Sequence, residues 1–320
     1  MVKTALHGAR LRGLAAAIAI TSFAAVAALV AYVGARAIGR DVLRALPALP
    51  AALGIHAAQL FLSALAWRAL IASPPGAGAM LRARWVREAA NTLLPFAGLG
   101  GGVAGARMLA GRDRIGVAEA SAATVGDLTT EALAQLPFLL LSLAVVAASA
   151  PSPHAVRAAW LAVLPIAAGV FAFILAQRWG LLRVVERAAS RLGAADVLVG
   201  LHDRLLALHL ARARVARSVL FHFVSWSLGG AEVWAVFRAM HVPVSAAAAF
   251  AIEGLGMAAR SAGFALPAGL AAQEAGFVLA CAAFNLPATD ALALSMLKRL
   301  RELIVALTGA ALALVSRRRT

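Results

Sequence analysis

The 320-residue chain holds one cysteine and one tyrosine, and its 14 acidic residues face 30 lysines and arginines. A lone Cys281 excludes an intrachain disulfide and reads as a small core side chain. Charge of either sign is scarce. Only 14% of residues are charged against 62% hydrophobic, too few to clothe a soluble globule. The seven histidines include no HExxH and no close pair in an acidic setting, which argues against a metal centre. No serine stands in a GxSxG context. GLGGGVAG at 98–105 has glycine spacings like those of a dinucleotide loop, but no strand precedes it, so neither an enzyme nor a cofactor is expected. No Ser- or Pro-rich linker divides the chain, and residues 1–320 read as one integral membrane domain. The formal charge of +16 is not carried by any basic, aromatic-studded soluble module, which excludes nucleic acid as a partner.

What the chain has in abundance is long apolar runs. A helix needs about 20 predominantly apolar residues to span the hydrocarbon core. Candidate spans fall near 14–38, 48–71, 115–150, 158–177, 217–239 and 289–315, and the first reads as an uncleaved span. Two further stretches, 79–112 and 245–285, are each broken by proline and glycine, and neither half is long enough to cross. Basic clusters set direction. Arg10 and Arg12, Arg82 to Arg87, Arg107 to Arg114, Arg178 to Arg217 and Arg317 to Arg319 are expected on the cytoplasmic side, with both termini. That count makes 79–112 re-entrant from the cytoplasm and 245–285 re-entrant from the opposite face. It leaves Arg36, Arg40 and Arg44 outside, a mild violation that Asp41 offsets in part. The basic segment 178–217 suits helices in the headgroup plane, anchored by Trp179, or a solvated loop helix. The predicted fold class is therefore all-α: a polytopic helical membrane protein of about six full spans and two re-entrant hairpins.

The order of features repeats. IHAAQLFLSALAWRAL at 55–70 and LFHFVSWSLGGAEVWAVFRAM at 220–240 share an early His, a late Trp and an Arg, and each precedes a proline turn. LPFAG at 94–98 then matches LPAG at 266–269, and each half closes on a long span. The units, about 48–150 and about 217–316, are separated by one span and the basic segment, so the second enters the membrane inverted. Broken helices at corresponding positions of inverted repeats point to a transport site near the midplane. Non-helical backbone at that depth must be buried in protein or line a wet cavity. Pro95 and Pro267 end a helix, while Gly98, Gly100, Gly101, Gly102 and Gly269 either allow tight reversal or serve close helix packing. Amides opening the helix after each tip would form a nest for a phosphate or carboxylate.

Charges inside spans are costly and call for a reason. VGDLTTEALAQ carries Asp127 and Glu131 on one helical face. MLKRLREL carries Lys298, Arg299, Arg301 and Glu302, and these two spans are expected to pair acid with base, as structural glue or for substrate passage. Glu232 lies in a span, Glu88 and Asn91 precede the first tip, and Arg260 and Glu274 flank the second.

These blocks, RWVREAANTLLPFAGLGGGVAGARML and IEGLGMAARSAGFALPAGLAAQEAGFVL among them, resemble the HpnL family of hopanoid biosynthesis-associated membrane proteins over roughly residues 55–305. That family is similar to the membrane region of lysylphosphatidylglycerol synthases, which flips an aminoacylated lipid. The resemblance implies a lipid transporter of the bacterial inner membrane, moving a hopanoid or another polar-headed lipid between leaflets. Its partners would be membrane lipids and hopanoid-biosynthesis enzymes. Alternatives are a scaffold for those enzymes or an intramembrane headgroup transferase. The family-like residues are Arg87, Glu88, Asn91, Pro95, Gly100, Gly101 and Arg107 in the first hairpin, then Asp127 and Glu131. In the second half they are Glu232, Glu253, Arg260, Pro267, Gly269, Gln273, Glu274, Arg299 and Arg301. Relatives tend to show a Gln and an acid where this chain has Gly98 and Gly102, which leaves Glu274 as the tip acid.

Overall fold

The computed structural model describes residues 27–93, 97–112, 115–149, 201–262 and 271–317, with the single residues 24 and 175. Every regular element among them is helical, as an all-α membrane protein requires. Residues 27–33 are helical and stop at Gly34, whose φ of 111° only glycine adopts readily. Then follow α1 (Ala35–Ala45), a 3-10 turn (Leu46–Ala48), α2 (Leu49–Ala69), α3 (Ala77–Leu93), α4 (Ala97–Arg112) and α5 (Val117–Ser149). The second half comprises α6 (Leu201–Leu210), α7 (Arg212–Ala239), α8 (Ala246–Ala262), α9 (Ala272–Ala282) and α10 (Ala288–Arg317).

Among the described residues three stretches are long and apolar enough to cross a membrane: Ala35–Ala69, Val117–Ser149 and Arg212–Ala239. They contain the spans expected at 48–71, 115–150 and 217–239. The span expected at 289–315 is the 30-residue α10, whose charges keep it from passing as apolar. The span at 158–177, most of that at 14–38, and residues 178–200 with Trp179 lie outside the described residues. Two boundaries differ from expectation. Gly34 interrupts the 14–38 run, and residues 35–45 form a helix of their own. Residues 212–217 belong to the membrane helix α7, with no breaker between Arg212 and Ala239, so they are no part of a separate surface segment.

The packing partners of the first half recur in the second. Within each half, α2 packs on α3, α3 on α4 and α4 on α5, and likewise α7 on α8, α8 on α9 and α9 on α10. Between halves, α2 lies along α7, α3 against α10 and α8 against α5, while the short leading helices α1 and α6 rest on α10 and α5. Direction follows from which ends meet. Ala52 near the start of α2 shares a buried cluster with Val236 and Phe237 near the end of α7. Leu70, just past the end of α2, shares another with Leu205 and Leu208 just before α7. The two helices therefore run antiparallel. Because α3 starts where α2 ends and α8 starts where α7 ends, the two hairpins open from opposite ends of the bundle. Their arms of 17, 16, 17 and 11 residues rise about 1.5 Å per residue, about 25 Å at most, less than the roughly 30 Å of hydrocarbon.

The core is largely apolar, as in a soluble protein, but the surface is apolar too and the interior also holds charge. Leu140, Leu141, Leu220, Leu303, Leu307 and Leu314 face outward, while Asp127, Glu232, Lys298 and Arg301 are buried. Lipid tails accept the leucines without cost. The charges must find partners inside.

Candidate functional site

Two ionic clusters sit at matching depths. Asp127 and Glu131 are ten and fourteen residues into α5, and Lys298 and Glu302 are ten and fourteen residues into α10, about 15–21 Å from each helix start. In the first cluster Arg84 donates to Asp127 at 3.2 Å and Arg87 pairs with the same carboxylate. Glu131 lies 3.5 Å from Arg84 and 3.7 Å from Arg87. His222 of α7 reaches Asp127 at 2.9 Å, and the Arg87 guanidinium lies 5.4 Å from the Trp67 ring centroid, a cation–π contact.

In the second cluster Lys298 donates to both oxygens of Glu253, at 3.1 and 2.9 Å, and to Glu232 at 3.2 Å. Arg301 sits 3.1 Å from Glu232 and contacts His56 of α2. Arg299 and Ser295 donate to Glu274 at 3.0 and 3.2 Å. Arg260 pairs with Glu302 and donates to Gln273 at 2.7 Å. Each histidine contributes to the cluster built mainly by the other half. The charge pattern is exchanged at one level only: α3 supplies bases to both Asp127 and Glu131 of α5, whereas α8 supplies the acid Glu253 to Lys298 and the base Arg260 to Glu302 of α10. Such buried pairs are tolerable because each charge has a partner at hydrogen-bond distance.

The clusters approach each other where the hairpins end. Glu88 lies one turn past Arg84 and 3.9 Å from it. Gln135, one turn past Glu131, donates to Ser261 at 2.8 Å, next to Arg260.

A family model described as the lysylphosphatidylglycerol synthase TM region matches residues 14–309. The chain belongs to that family. No curated protein and no solved structure matches it. The match covers both clusters and both hairpins, and it supports a membrane protein concerned with lipid. The narrower likeness to HpnL rests on the residue blocks alone.

Of the residues expected at the site, Arg87, Glu88, Asp127 and Glu131 meet in the first cluster. Glu232, Glu253, Arg260, Gln273, Glu274, Arg299 and Arg301 meet in the second. Pro95, Pro267 and Gly269 lie outside the described residues. Several expectations are corrected. The acids of α5 and the bases of α10 do not pair with one another: each set is matched within reach of its own hairpin helices. Arg84 and Arg87, expected on the cytoplasmic side, are buried against Asp127 rather than free at a helix end, and Arg82 alone of that run is exposed. Gly100, Gly101 and Gly102 lie within α4 rather than at the reversal. Gly101 is there for close approach, since a Cβ would fall 1.9 Å from Asn91 Oδ1 and 2.7 Å from the Arg87 carbonyl oxygen. Arg107 is exposed and joins neither cluster.

Arg84 and His222 were missed by the sequence reading. The first has a signal in hindsight, three residues before Arg87 on one face. A single histidine in an apolar run gives none. Asp127, Glu131 and His222 bring ligand atoms within 4.8 Å of one another, a spacing that suits a cation. The residues nevertheless do not fit one, because Arg84 and Arg87 already hold both carboxylates.

Proposed function

We propose that this protein moves a polar-headed lipid between leaflets of the bacterial inner membrane, with the headgroup passing between the ends of the two hairpins. One observation carries the reading: hairpins that open from opposite ends of the bundle end beside charged side chains that protein covers only in part. A charge at mid-membrane facing lipid tails would cost several kcal/mol, so those side chains require a wet cavity or a polar guest. Inverted repeats around such a cavity give each leaflet its own approach to one site, and rocking one half against the other exposes it alternately. The orientation follows from the basic clusters, with the α2–α3 turn cytoplasmic and the α7–α8 turn outside. The hopanoid as cargo, and hopanoid-biosynthesis enzymes as neighbours, rest on the likeness to HpnL.

The test is leaflet exchange in liposomes. Purified protein is reconstituted with a trace of acyl-labelled fluorescent phospholipid, and the outer leaflet is bleached with dithionite. Protein-containing vesicles should lose clearly more than half of their fluorescence, and Arg107→Ala should behave like the wild type. Bleaching that stops at half with folded protein would contradict transport and favour a scaffold. A mass change in the lipid headgroup would instead reveal a transferase.

A further inference from the structure

Of the charged side chains in the two clusters, four remain partly uncovered: Glu88 at 21%, Glu131 at 27%, Arg260 at 23% and Arg299 at 17%. The other charged members are 7% exposed or less. The four are sorted by sign. Both acids share Arg84 as a partner, at 3.9 and 3.5 Å. Both bases share Glu302. The space between them therefore has an acidic edge on the first cluster's side and a basic edge on the second's, tied together where Gln135, one turn past Glu131, donates to Ser261 beside Arg260.

Two of the buried polar atoms without a hydrogen-bond partner add to these edges. Asn91, three residues past Glu88, has a buried Oδ1 without a hydrogen-bond partner, an acceptor beside the acidic edge. Gln273 is wholly buried; its Oε1 accepts from Arg260 and its Nε2 donates to nothing, a donor beside the basic edge. Unsatisfied buried groups of this kind are rare and ask for a ligand or water. A purely anionic headgroup would be poorly served here. Among the described residues the two clusters hold six bases and seven acids, so these show no basic surplus awaiting a phosphate.

From this we infer that the space between the two edges takes a zwitterionic lipid headgroup, one phosphodiester and one ammonium in a single molecule. The ammonium sits beside Glu88 and Asn91, and the phosphate beside Arg260 and Gln273. Each charge of the headgroup then meets one of opposite sign, which is what permits its passage at low dielectric. The inference rests on the transport site proposed above and names its substrate class.

The test is competitive lipid retention by the full-length protein in detergent, read by native mass spectrometry. Four probes are used: phosphatidylethanolamine, phosphatidylglycerol, phosphatidic acid, and a diacyl lipid bearing a quaternary ammonium without phosphate. Soluble glycerophosphoethanolamine is added as a competitor in a separate arm. Phosphatidylethanolamine should be retained at least about tenfold over each other lipid, the size of one charge-assisted contact. The soluble headgroup should displace it only weakly if the lipid is the natural source, and fully if the free phosphoester is. Glu88→Gln should reduce ethanolamine lipid to the level of phosphatidic acid without changing phosphatidic acid itself, an effect a merely structural loss would not produce. Arg260→Gln should lower both. Equal retention of phosphatidylglycerol and phosphatidylethanolamine, or an ethanolamine preference that survives Glu88→Gln, overturns the inference. Selective retention without leaflet exchange overturns transport but leaves the headgroup assignment standing. Exchange without selectivity does the reverse.

Discussion

Lys298 is the side chain on which the second cluster turns. It is 1% exposed, holds Glu253 through both carboxylate oxygens, and holds Glu232 at 3.2 Å. Lys298→Met keeps the length and apolar stem while removing the charge. Glu232 would retain Arg301 at 3.1 Å, but Glu253, 3% exposed, would lose the ammonium that neutralises it. Breaking a buried pair from one side costs about 3–5 kcal/mol, because the surviving ion stays desolvated. At about 2–4 °C per kcal/mol for a chain of this order of size, the melting temperature should fall by roughly 10 °C. Adding Glu253→Gln removes the stranded charge, and the double variant Lys298→Met, Glu253→Gln should recover most of the loss, with a coupling of about 2 kcal/mol or more. The assay is built into the chain. Cys281 is the one cysteine and is wholly buried, so a thiol-reactive fluorophore added during heating reports unfolding directly. A double variant that melts no higher than Lys298→Met would refute the claim that this lysine serves to neutralise Glu253.

Three further outcomes follow from the packing. Gly101→Ala places a Cβ against Asn91 and the backbone of Arg87, and should cost about 1–3 kcal/mol by overpacking, seen as a lower melting temperature that Asn91→Ala restores only in part. Trp67→Phe leaves a ring near Arg87 but opens a cavity in a wholly buried cluster, and should cost about 1–3 kcal/mol, seen as a lower melting temperature; an unchanged melting temperature would contradict the close packing of this ring. Arg107→Ala should change the melting temperature by less than about 0.5 kcal/mol equivalent and leave lipid exchange intact.

How far the sequence could be read depended on the range of the signal. The spans were legible because about 20 apolar residues is a local property: 48–71, 115–150, 217–239 and 289–315 each fall within a few residues of a helix or of its membrane portion. The broken hairpins were legible for the same reason, since proline and short arms are local. Glycine was ambiguous. GLGGG serves equally for a reversal or for a close helix contact, and only Asn91 Oδ1 against Gly101 decides for the contact. Long-range pairing was not legible. The positive-inside rule assigned Arg84 and Arg87 a side but could not announce their burial, because their partner, Asp127, lies some forty residues away in another helix. Charge complementarity alone matched α5 with α10, but each set of charges had a nearer partner on the hairpin helices. His222 belongs to the first cluster through the antiparallel packing of α7, which no residue near it announces.

The central claim is that the hairpins enter from opposite sides. Residues 72–76 and 241–245 are the turns at their bases, and Ser73 and Pro243 are both exposed. In a Cys281→Ala background, Ser73→Cys and Pro243→Cys are made separately, and intact cells and inverted vesicles are treated with a membrane-impermeant maleimide. The account predicts that Pro243→Cys labels in cells and Ser73→Cys labels only in inverted vesicles. Labelling of both from the same side would contradict it.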